Sequence, residues 1–428
     1  MKNKLLIVAA VSGTLLLNSQ LAHSAQPSSN ELSPTQLQSE FEKALSLRES
    51  GNLFAAIDAL NDILVIKPSL HRARIELAVA YYRAAEFNKA VNLANEVISQ
   101  PNTSPKVVEV VKLFLDQVEE FKAAEALKRS SWSGSIGLAA GRDDNVNIGP
   151  NDDEFNVRGT ILRLADDSQP KADNLITFTG NLNHTYRIPG SFRFGDRPVT
   201  ALWQSTVGFT HRDYNNEDDR NLDLLSGSTG ISVLSQKNWR ANLNLQLDKL
   251  QLGGDSLALF SSINPSWTYS KPTGGEYTLR GQFMYRDFNR TIDESKNGYR
   301  VGAGADYSYR FDNNLLLQTG ITLSKQDARE QTQQNKSIDG YVSLLAPAWT
   351  NGSVFGRVNF LTTRYNGKVA VFDKARRDRE QRFVVGALHN INNSWQIRAD
   401  YTYTDNNSSV KNFEFDRNEF SINLIKRF

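Results

Sequence analysis

The sequence predicts a small helical domain followed by a transmembrane β-barrel of about 14 strands. Three observations predict this fold class. The spacing of apolar residues changes near residue 130 from three or four residues to two residues. The connections between the later segments alternate between short and long, as they do in outer-membrane barrels. The chain also begins with a secretory leader and ends on an aromatic residue, Phe428.

Residues 1–25 are predicted to be a signal peptide. Lys2 and Lys4 precede the apolar run Leu5–Leu17, and the small residues of Ala22–Ala25 suit a signal peptidase. The run is shorter than the roughly 20 residues that a spanning helix needs. The sequence contains no cysteine, so we expect neither an N-terminal lipid nor a disulfide in the mature chain.

The composition gives little support for other classes of protein. The net charge of +2 lacks the basic excess that is typical of nucleic-acid binding. The mean hydropathy of −0.46 alone suggests a soluble protein. Barrel strands, however, alternate lipid-facing and lumen-facing residues and so conceal their hydrophobicity.

Residues 33–128 are predicted to form a helical domain of the tetratricopeptide type. The segments Gly51–Ile57 and Ala85–Val91 are similar, and they lie 34 residues apart, which is the period of that repeat. Pro68 closes the first repeat, and Val107–Ala126 reads as a further helix. The small positions of the repeat are occupied by Ala44, Ala56, Ala78 and Ala90. A generic stack of helical hairpins is the alternative.

Residues 131–428 are predicted to form the barrel. The short connections are residues 236–238, 271–274, 312–314, 351–352 and 391–394. The long, charged connections are Tyr214–Asn221, Asn289–Gly298, Asp327–Lys336, Tyr365–Asp378 and Asp405–Arg417. An even strand number leaves both barrel ends in the periplasm. We therefore expect a protein of the cell outer membrane whose helical domain is periplasmic. A soluble β-sandwich is the competing architecture, but it does not explain the alternating connections.

The last strand resembles the signal that the barrel assembly machinery reads. Phe420, Ile422 and Leu424 alternate on one face, and the chain ends at Phe428. A terminal aromatic residue alone means little. Together with the leader and the alternating strands it favours an outer-membrane barrel and indicates the assembly machinery as a partner.

The sequence predicts no catalytic, metal or cofactor site. His71, His184, His211 and His389 are scattered and have no metal-ligand spacing. Asp143–Asn147 is partly similar to a calcium loop, but Ile148 stands where that loop needs glycine, so a polar strand-end loop is expected. We therefore expect a protein that is not an enzyme. The basic stretch Asp373–Arg382 is either a solvated loop or a surface for lipopolysaccharide phosphates.

The order of these parts resembles the surface lipoprotein assembly modulator family, the outer-membrane translocons of type XI secretion. The segment Gly137–Asn147 is similar to one near the start of that family's barrel. The resemblance implies a barrel of 14 strands after a periplasmic tetratricopeptide domain. It also implies export of a client protein, either a surface lipoprotein or a soluble haem- or metal-acquisition protein.

On this interpretation the concave face of the helical repeats holds the client near the barrel. The residues predicted to bind it are Tyr81, Tyr82, Arg83 and Phe87. The client then passes through the lumen or along a seam between the first and last strands. A polysaccharide-export porin with the same kind of repeats is the main alternative, and a barrel enzyme or an adhesin-like barrel are further ones.

Overall fold

The structure is a computed structural model that describes residues 33–100, 103–127, 129–157, 159–190, 192–235 and 238–428. The predicted signal peptide, residues 1–25, lies outside the described residues. The chain forms two compact units. The first contains the helices and residues 187–201, and the second contains most of the strands.

Five α-helices lie in the described part of the first unit. They are Pro34–Glu49 (α1), Leu53–Ile66 (α2), His71–Arg83 (α3), Phe87–Ile98 (α4) and Pro105–Leu127 (α5). Helix α1 begins at a capping box, because Ser33 and Gln36 each accept a hydrogen bond from the other's backbone N–H, at 3.3 and 2.9 Å. Among the described residues, no helix is both long enough and apolar enough to cross a bilayer.

The helices repeat as two hairpins with the same turn geometry. The chain turns in the left-handed region at Gly51 (φ 80°), between α1 and α2. It does so again at Ala85 (φ 61°), between α3 and α4, one repeat period later. This conformation costs glycine nothing but strains alanine. The left-handed turn recurs at Ala85 although it strains alanine, and this recurrence supports a repeated structural unit.

The four alanines of the predicted repeat are all buried in the helix contacts. Ala44, Ala56 and Ala90 are 0% exposed and Ala78 is 1% exposed. A larger side chain at any of these positions meets neighbouring atoms, because protein interiors are close-packed. The positions predicted to allow close helix packing therefore do lie at the packed interfaces.

The interior of the helical unit also contains an ion pair. Arg48 of α1 pairs with Glu76 of α3, and their side chains are only 6% and 3% exposed. Leu60 and Leu77 pack in the same cluster of buried residues. Because an unpaired buried charge is costly, each member of the pair requires the other.

The rest of the described chain is almost entirely antiparallel strand. The strands are Ser130–Asp143 (β1), Glu154–Val157 (β2), Thr160–Arg163 (β3), Asp173–Arg187 (β4), Phe192–Phe194 (β5), Arg197–Tyr214 (β6), Leu222–Ser235 (β7), Trp239–Leu252 (β8), Asp255–Ser270 (β9), Gly275–Phe288 (β10), Gly298–Arg310 (β11), Leu316–Gln326 (β12), Asn335–Trp349 (β13), Gly352–Val369 (β14), Lys374–Asn390 (β15), Trp395–Ser408 (β16) and Phe415–Arg427 (β17).

Fourteen of the strands in the described residues close into one barrel. From β6 to β17 each strand pairs with its neighbour in sequence, β17 pairs with β1, β1 pairs with β4, and β4 pairs with β6. The remaining three are β5, a short strand paired with β6, and β2 and β3, which form a separate hairpin. The predicted fold class is confirmed: a helical region precedes a closed antiparallel barrel of 14 strands, the outer-membrane barrel fold.

The structure corrects several predicted connections. Tyr365–Asp378 is not a long loop, because β14 continues to Val369 and β15 begins at Lys374. Asp405–Arg417 is likewise shortened by extensions of β16 and β17. Both extensions contain mainly polar side chains, so apolar alternation did not reveal them. A strand that projects beyond the apolar band needs no lipid-facing residues. We also did not predict the hairpin of β2 and β3.

The outer wall of the barrel is apolar. Alternate residues on each strand expose large hydrophobic side chains, and examples are Leu243 (46%), Leu279 (55%), Ile321 (51%) and Val385 (56%). Such exposure is unfavourable in water but favourable in a bilayer. The alternate positions face inward and form the site considered next.

Candidate functional site

The inner wall of the barrel is polar. Across β6 to β12 its side chains line a cavity of about 540 Å³. The polar members of this lining are Gln204, Thr206, Ser228, Ser232, Asn242, Asn244, Asn264, Ser266, Arg280, Gln282, Arg300, Thr322 and Ser324. Amide and hydroxyl groups both donate and accept hydrogen bonds without carrying charge. This wall can therefore form hydrogen bonds with polar solutes of many kinds.

Two pairs of opposite charge form across strands on this wall. Arg240 of β8 donates two hydrogen bonds to the Glu276 carboxylate of β10, at 2.9 and 3.0 Å. Arg280 donates to Asp306 through Nη2 at 2.9 Å, and the Tyr341 hydroxyl donates to the same carboxylate at 2.9 Å. Opposite charges held this close cancel much of each other's field. These two pairs therefore add no net charge to the wall.

A largely buried group of charged and polar side chains lies where the first and last strands of the barrel meet. This mouth cluster consists of Asp143 (β1), Arg212 and Tyr214 (β6), and Arg417 and Glu419 (β17). The Asp143 side chain is fully buried and accepts hydrogen bonds from Arg417 Nε at 2.9 and 3.1 Å. It also accepts one from the Tyr214 hydroxyl at 3.0 Å, and Arg212 pairs with Glu419 at 3.1 Å. The cluster therefore ties three strands together.

The first long connection is anchored beside the mouth cluster. The mouth segment, residues 144–152, forms hydrogen bonds to the start of β17. Asp144 accepts from the Asn418 backbone N–H at 2.6 Å, and Asn145 Nδ2 donates to the Asp416 carbonyl at 2.9 Å. The Asn151 backbone N–H donates to the Glu414 carbonyl at 2.9 Å. The end of β1 and the mouth segment are thus part of the barrel seam.

This geometry gives the two carboxylates at the start of the mouth segment partners within the chain. The carboxylates of Asp143 and Asp144 are already occupied, by Arg417 and by Asn418. In the part of the chain that the structure describes, no three histidine, cysteine or acidic residues come together to hold a metal. The interpretation of Asp143–Asn147 as a polar strand-end segment agrees with the structure.

Tyr82 and Phe87, two of the predicted client-binding residues, contribute to the packing of the helices. The Tyr82 ring lies 6.0 Å from Phe87 and 5.7 Å from both Phe114 and Phe121, measured between ring centroids. Burial, and secondarily the charge of Glu120, raises the pKa of the Tyr82 hydroxyl above its ordinary value. Substituting this ring would therefore affect folding as well as any bound partner.

The other two predicted client-binding residues are also partly buried. Lys89 lies 5.2 Å above the Tyr81 ring, and Arg83 pairs with Glu49 at 3.4 Å with 31% of its side chain exposed. Tyr81 and Arg83 both lie in the last turn of α3. The binding role of all four residues stays a prediction.

The residues of the predicted assembly signal lie together on the outer wall. Phe420, Ile422 and Leu424 are 47%, 49% and 41% exposed, on the same face of β17. The backbone of Phe428 exchanges hydrogen bonds with Gly134 of β1 at 2.9 and 3.0 Å. A Cβ at Gly134 would lie 2.7 Å from the Phe428 ring, so glycine makes room for it. Recognition by the assembly machinery stays a prediction.

The histidines lie far apart along the chain. His184 stacks on Trp132 with ring centroids 4.3 Å apart, and His211 contacts the Asp223 carboxylate at 2.7 Å. His389 contacts Trp349, whose indole N–H donates to it at 3.2 Å. These contacts are structural.

The sequence did not indicate the partners in the mouth cluster. Asp143 and Arg417 are 274 residues apart, so no local pattern links them. The only available signal was topological, because closing the barrel places the first strand beside the last.

The comparisons with known proteins agree with the barrel. A family model described as the outer membrane protein beta-barrel domain matches residues 256–428, which correspond to β9 to β17. No curated protein matches the chain.

Solved structures with related shapes include three kinds of outer-membrane protein. An anion-selective porin from Comamonas acidovorans is 9% identical with a TM-score of 0.41, over 70% of this chain and 99% of the porin. A bacterial polysaccharide outer membrane secretin is 11% identical with a TM-score of 0.36, over 69% and 98% of the two chains. The translocator domain of the autotransporter NalP from Neisseria meningitidis is 12% identical with a TM-score of 0.27, over 73% and 95%. At these scores the similarities do not bear on function.

Proposed function

We propose that this protein is an outer-membrane translocon that exports a client protein to the cell surface or the medium. The observation that carries the proposal is the combination, in one chain, of repeated helical hairpins with a closed barrel whose inner wall is polar. Helical repeats are protein-binding scaffolds, and a simple diffusion channel needs none. We place the helical domain in the periplasm and the long connections outside.

The route that we propose is the lumen. The seam between β1 and β17 is paired continuously, from Ser135 opposite Arg427 to Asp143 opposite Glu419. Exit along this seam would break that ladder and also separate Asp143 from Arg417. A polar wall, in contrast, hydrates an extended polypeptide without binding it tightly. Folding of the client outside then supplies the direction of transport.

A polysaccharide-export porin is the second candidate. Aromatic or acidic side chains along the lumen would favour it, because aromatic rings stack on sugars. The lining of the cavity between β6 and β12 contains neither kind of residue, but the neighbouring part of the inner wall carries Glu276, Asp306 and Tyr341. Trp203, Trp267 and Trp349 are instead exposed on the outer wall, at 45%, 42% and 48%.

The proposal is tested by deleting the gene and comparing the proteins exposed on the cell surface and in the medium. The client should disappear from the outside and accumulate in the periplasm. The full chain should restore export, whereas a variant lacking residues 33–128 but retaining residues 1–32 should not.

The matched control is a variant with the exposed change Lys368→Gln near the end of β14, which should export normally. Folding of every barrel is checked by its altered mobility in unheated gel samples. If no protein changes location, the translocon is excluded. If a polysaccharide disappears from the outside instead, the porin alternative replaces it.

A further inference from the structure

Four basic residues form a continuous row across the outer wall of the barrel. This cation row consists of Lys325 (β12), Lys336 (β13), Arg364 (β14) and Arg377 (β15). Lys325 lies directly opposite Lys336, Lys336 opposite Arg364, and Arg364 opposite Arg377. All four side chains are exposed. Neighbouring strands are about 4.8 Å apart, so the row extends over roughly 14 Å.

The row lies at the edge of the lipid-facing surface. Leu323 and Ile338, each two residues from a lysine of the row on the same strand, are 54% and 52% exposed. Residues two apart on a strand share a face and are separated by about 7 Å. The row therefore borders the apolar band on the side of the long connections, at the depth of lipid headgroups.

The cations of the row lack the partners that other cations at this end of the barrel have. Arg329 pairs with Glu294 at 2.7 Å, and Lys368 pairs with Asp373 at 3.1 Å. Among the described residues, no carboxylate lies within ion-pair distance of any member of the row. Like charges directly opposite each other on neighbouring strands destabilise a sheet. An anion from outside the protein would therefore offset the repulsion between the cations of the row.

An apolar groove adjoins the row. It has a volume of about 650 Å³ and is lined by Val301, Ala303, Leu323 and Ile338, with Lys325, Lys336 and Arg364 at its rim. The small side chain of Ala303 leaves a depression between its larger neighbours. A ligand that fills both features has anionic groups next to an acyl chain.

We propose that the cation row binds the phosphates of lipopolysaccharide, with an acyl chain of its lipid A in the adjoining groove. The row spans enough strands to contact two phosphates on one disaccharide. Inorganic phosphate would leave the groove empty. A phospholipid, with a single phosphate, would engage only part of the row. The proposal is independent of whether the barrel exports a protein.

The test uses the full chain purified in detergent and lipopolysaccharide added as the probe. Four neutral substitutions remove the row: Lys325→Gln, Lys336→Gln, Arg364→Gln and Arg377→Gln. The control variant removes four cations that lie outside the row but at the same end, namely Arg163→Gln, Arg329→Gln, Lys368→Gln and Lys411→Gln. Both variants change the net charge equally. Binding is measured by native mass spectrometry and by retention of radiolabelled lipopolysaccharide.

We expect the row variant to lose at least about a hundredfold in affinity, since each basic residue near an anionic lipid surface contributes roughly a fivefold factor. The control variant should bind as the parent does. Dephosphorylated lipopolysaccharide should bind as weakly to the parent as the intact lipid does to the row variant. Phosphatidylglycerol and inorganic phosphate should not displace the intact lipid.

Three results would overturn the proposal: equal losses in both variants, undiminished binding of the dephosphorylated lipid, or displacement by phosphatidylglycerol at equal concentration. The row substitutions are on the exposed surface and remove repulsion between like charges. We therefore expect the row variant to fold, and its mobility in unheated gel samples checks this before binding is measured.

Discussion

Replacing Asp143 with alanine should weaken the closure of the barrel more than any exposed acidic substitution does. The Asp143 carboxylate is fully buried and holds Arg417, which is itself only 18% exposed. Without the carboxylate, the guanidinium of Arg417 remains buried and the Tyr214 hydroxyl loses its acceptor. Removing one member of a buried pair typically costs about 3–5 kcal/mol.

The expected loss is somewhat smaller in this cluster. Arg417 keeps a second partner, because Glu419 lies 3.2 Å from its Nη2. We therefore expect Asp143→Ala to lower the free energy of unfolding by about 2–4 kcal/mol. The control is Asp373→Asn, which removes a carboxylate charge that is 67% exposed and paired with Lys368 and keeps a residue that tolerates the left-handed backbone there (φ 49°). An exposed pair of this kind contributes less than about 1 kcal/mol.

The assay is reversible urea unfolding of the barrel refolded into lipid bilayers, followed by tryptophan fluorescence. A double-mutant cycle with Arg417→Met isolates the pair, since the double variant leaves no uncompensated charge. Its destabilisation should be clearly less than the sum of the two single ones. If Asp143→Ala and Asp373→Asn differ by less than about 0.5 kcal/mol, the mouth cluster does not stabilise the seam.

Four further predictions follow from the described contacts. Ala90→Leu should destabilise the helical unit by about 1–3 kcal/mol in thermal unfolding, because Ala90 is 0% exposed; an unchanged midpoint would contradict the packing. Phe428→Ala should reduce the yield of assembled barrel in cells yet change its stability in vitro by less than about 1 kcal/mol, because the side chain is 65% exposed; equal yields would remove its role in assembly. Asp306→Ala, which leaves Arg280 without its carboxylate, should raise anion over cation permeability roughly twofold in planar bilayers, and the reversal potential in a salt gradient measures the sign. Burial alone would raise the pKa of Asp293, but hydrogen bonds from Lys296 and Arg290 outweigh it and hold that pKa below its ordinary value of 3.8. The ionised Asp293 carboxylate therefore stabilises residues 291–296 above pH 3.8, and this stabilisation is lost as the pH falls through the depressed native pKa. Hydrogen exchange of this segment should rise over that low-pH range in the parent. In Asp293→Asn it should be high at every pH.

The architecture of the molecule was predictable because its patterns are local and repeated. Alternation along a strand and the spacing of four alanines in the helices each arise within a few residues, and each recurs. Recurrence allowed the number of barrel strands to be counted correctly. The ends of β14 to β17 were less predictable, since strands that leave the membrane no longer alternate apolar residues.

The site was less predictable because its contacts are set by register. From the sequence alone, Asp143 is interpreted as part of a polar loop. Barrel closure places Arg417 beside it and makes it one member of an ion pair. The cation row has the same origin, since Lys325 and Arg377 are far apart in sequence and meet only through the pairing of four strands. The basic stretch Asp373–Arg382 suggested a surface for lipopolysaccharide phosphates, but half of its charged side chains face the inside of the barrel. Alternation separates Arg377 from Arg376, which contacts the ring of Tyr365.

The absence of cysteine from the sequence allows a direct test of passage through the lumen. A client found by the deletion experiment is fused to a tightly folded domain so that it stalls during export, and it carries a single cysteine. The barrel carries either Ser266→Cys, on the inner wall of β9, or Ser261→Cys, at an alternate, outward position of the same strand. Export through the lumen predicts a disulfide between the client and residue 266 but not residue 261. If neither position, or only residue 261, captures the stalled client, the lumen is not its route.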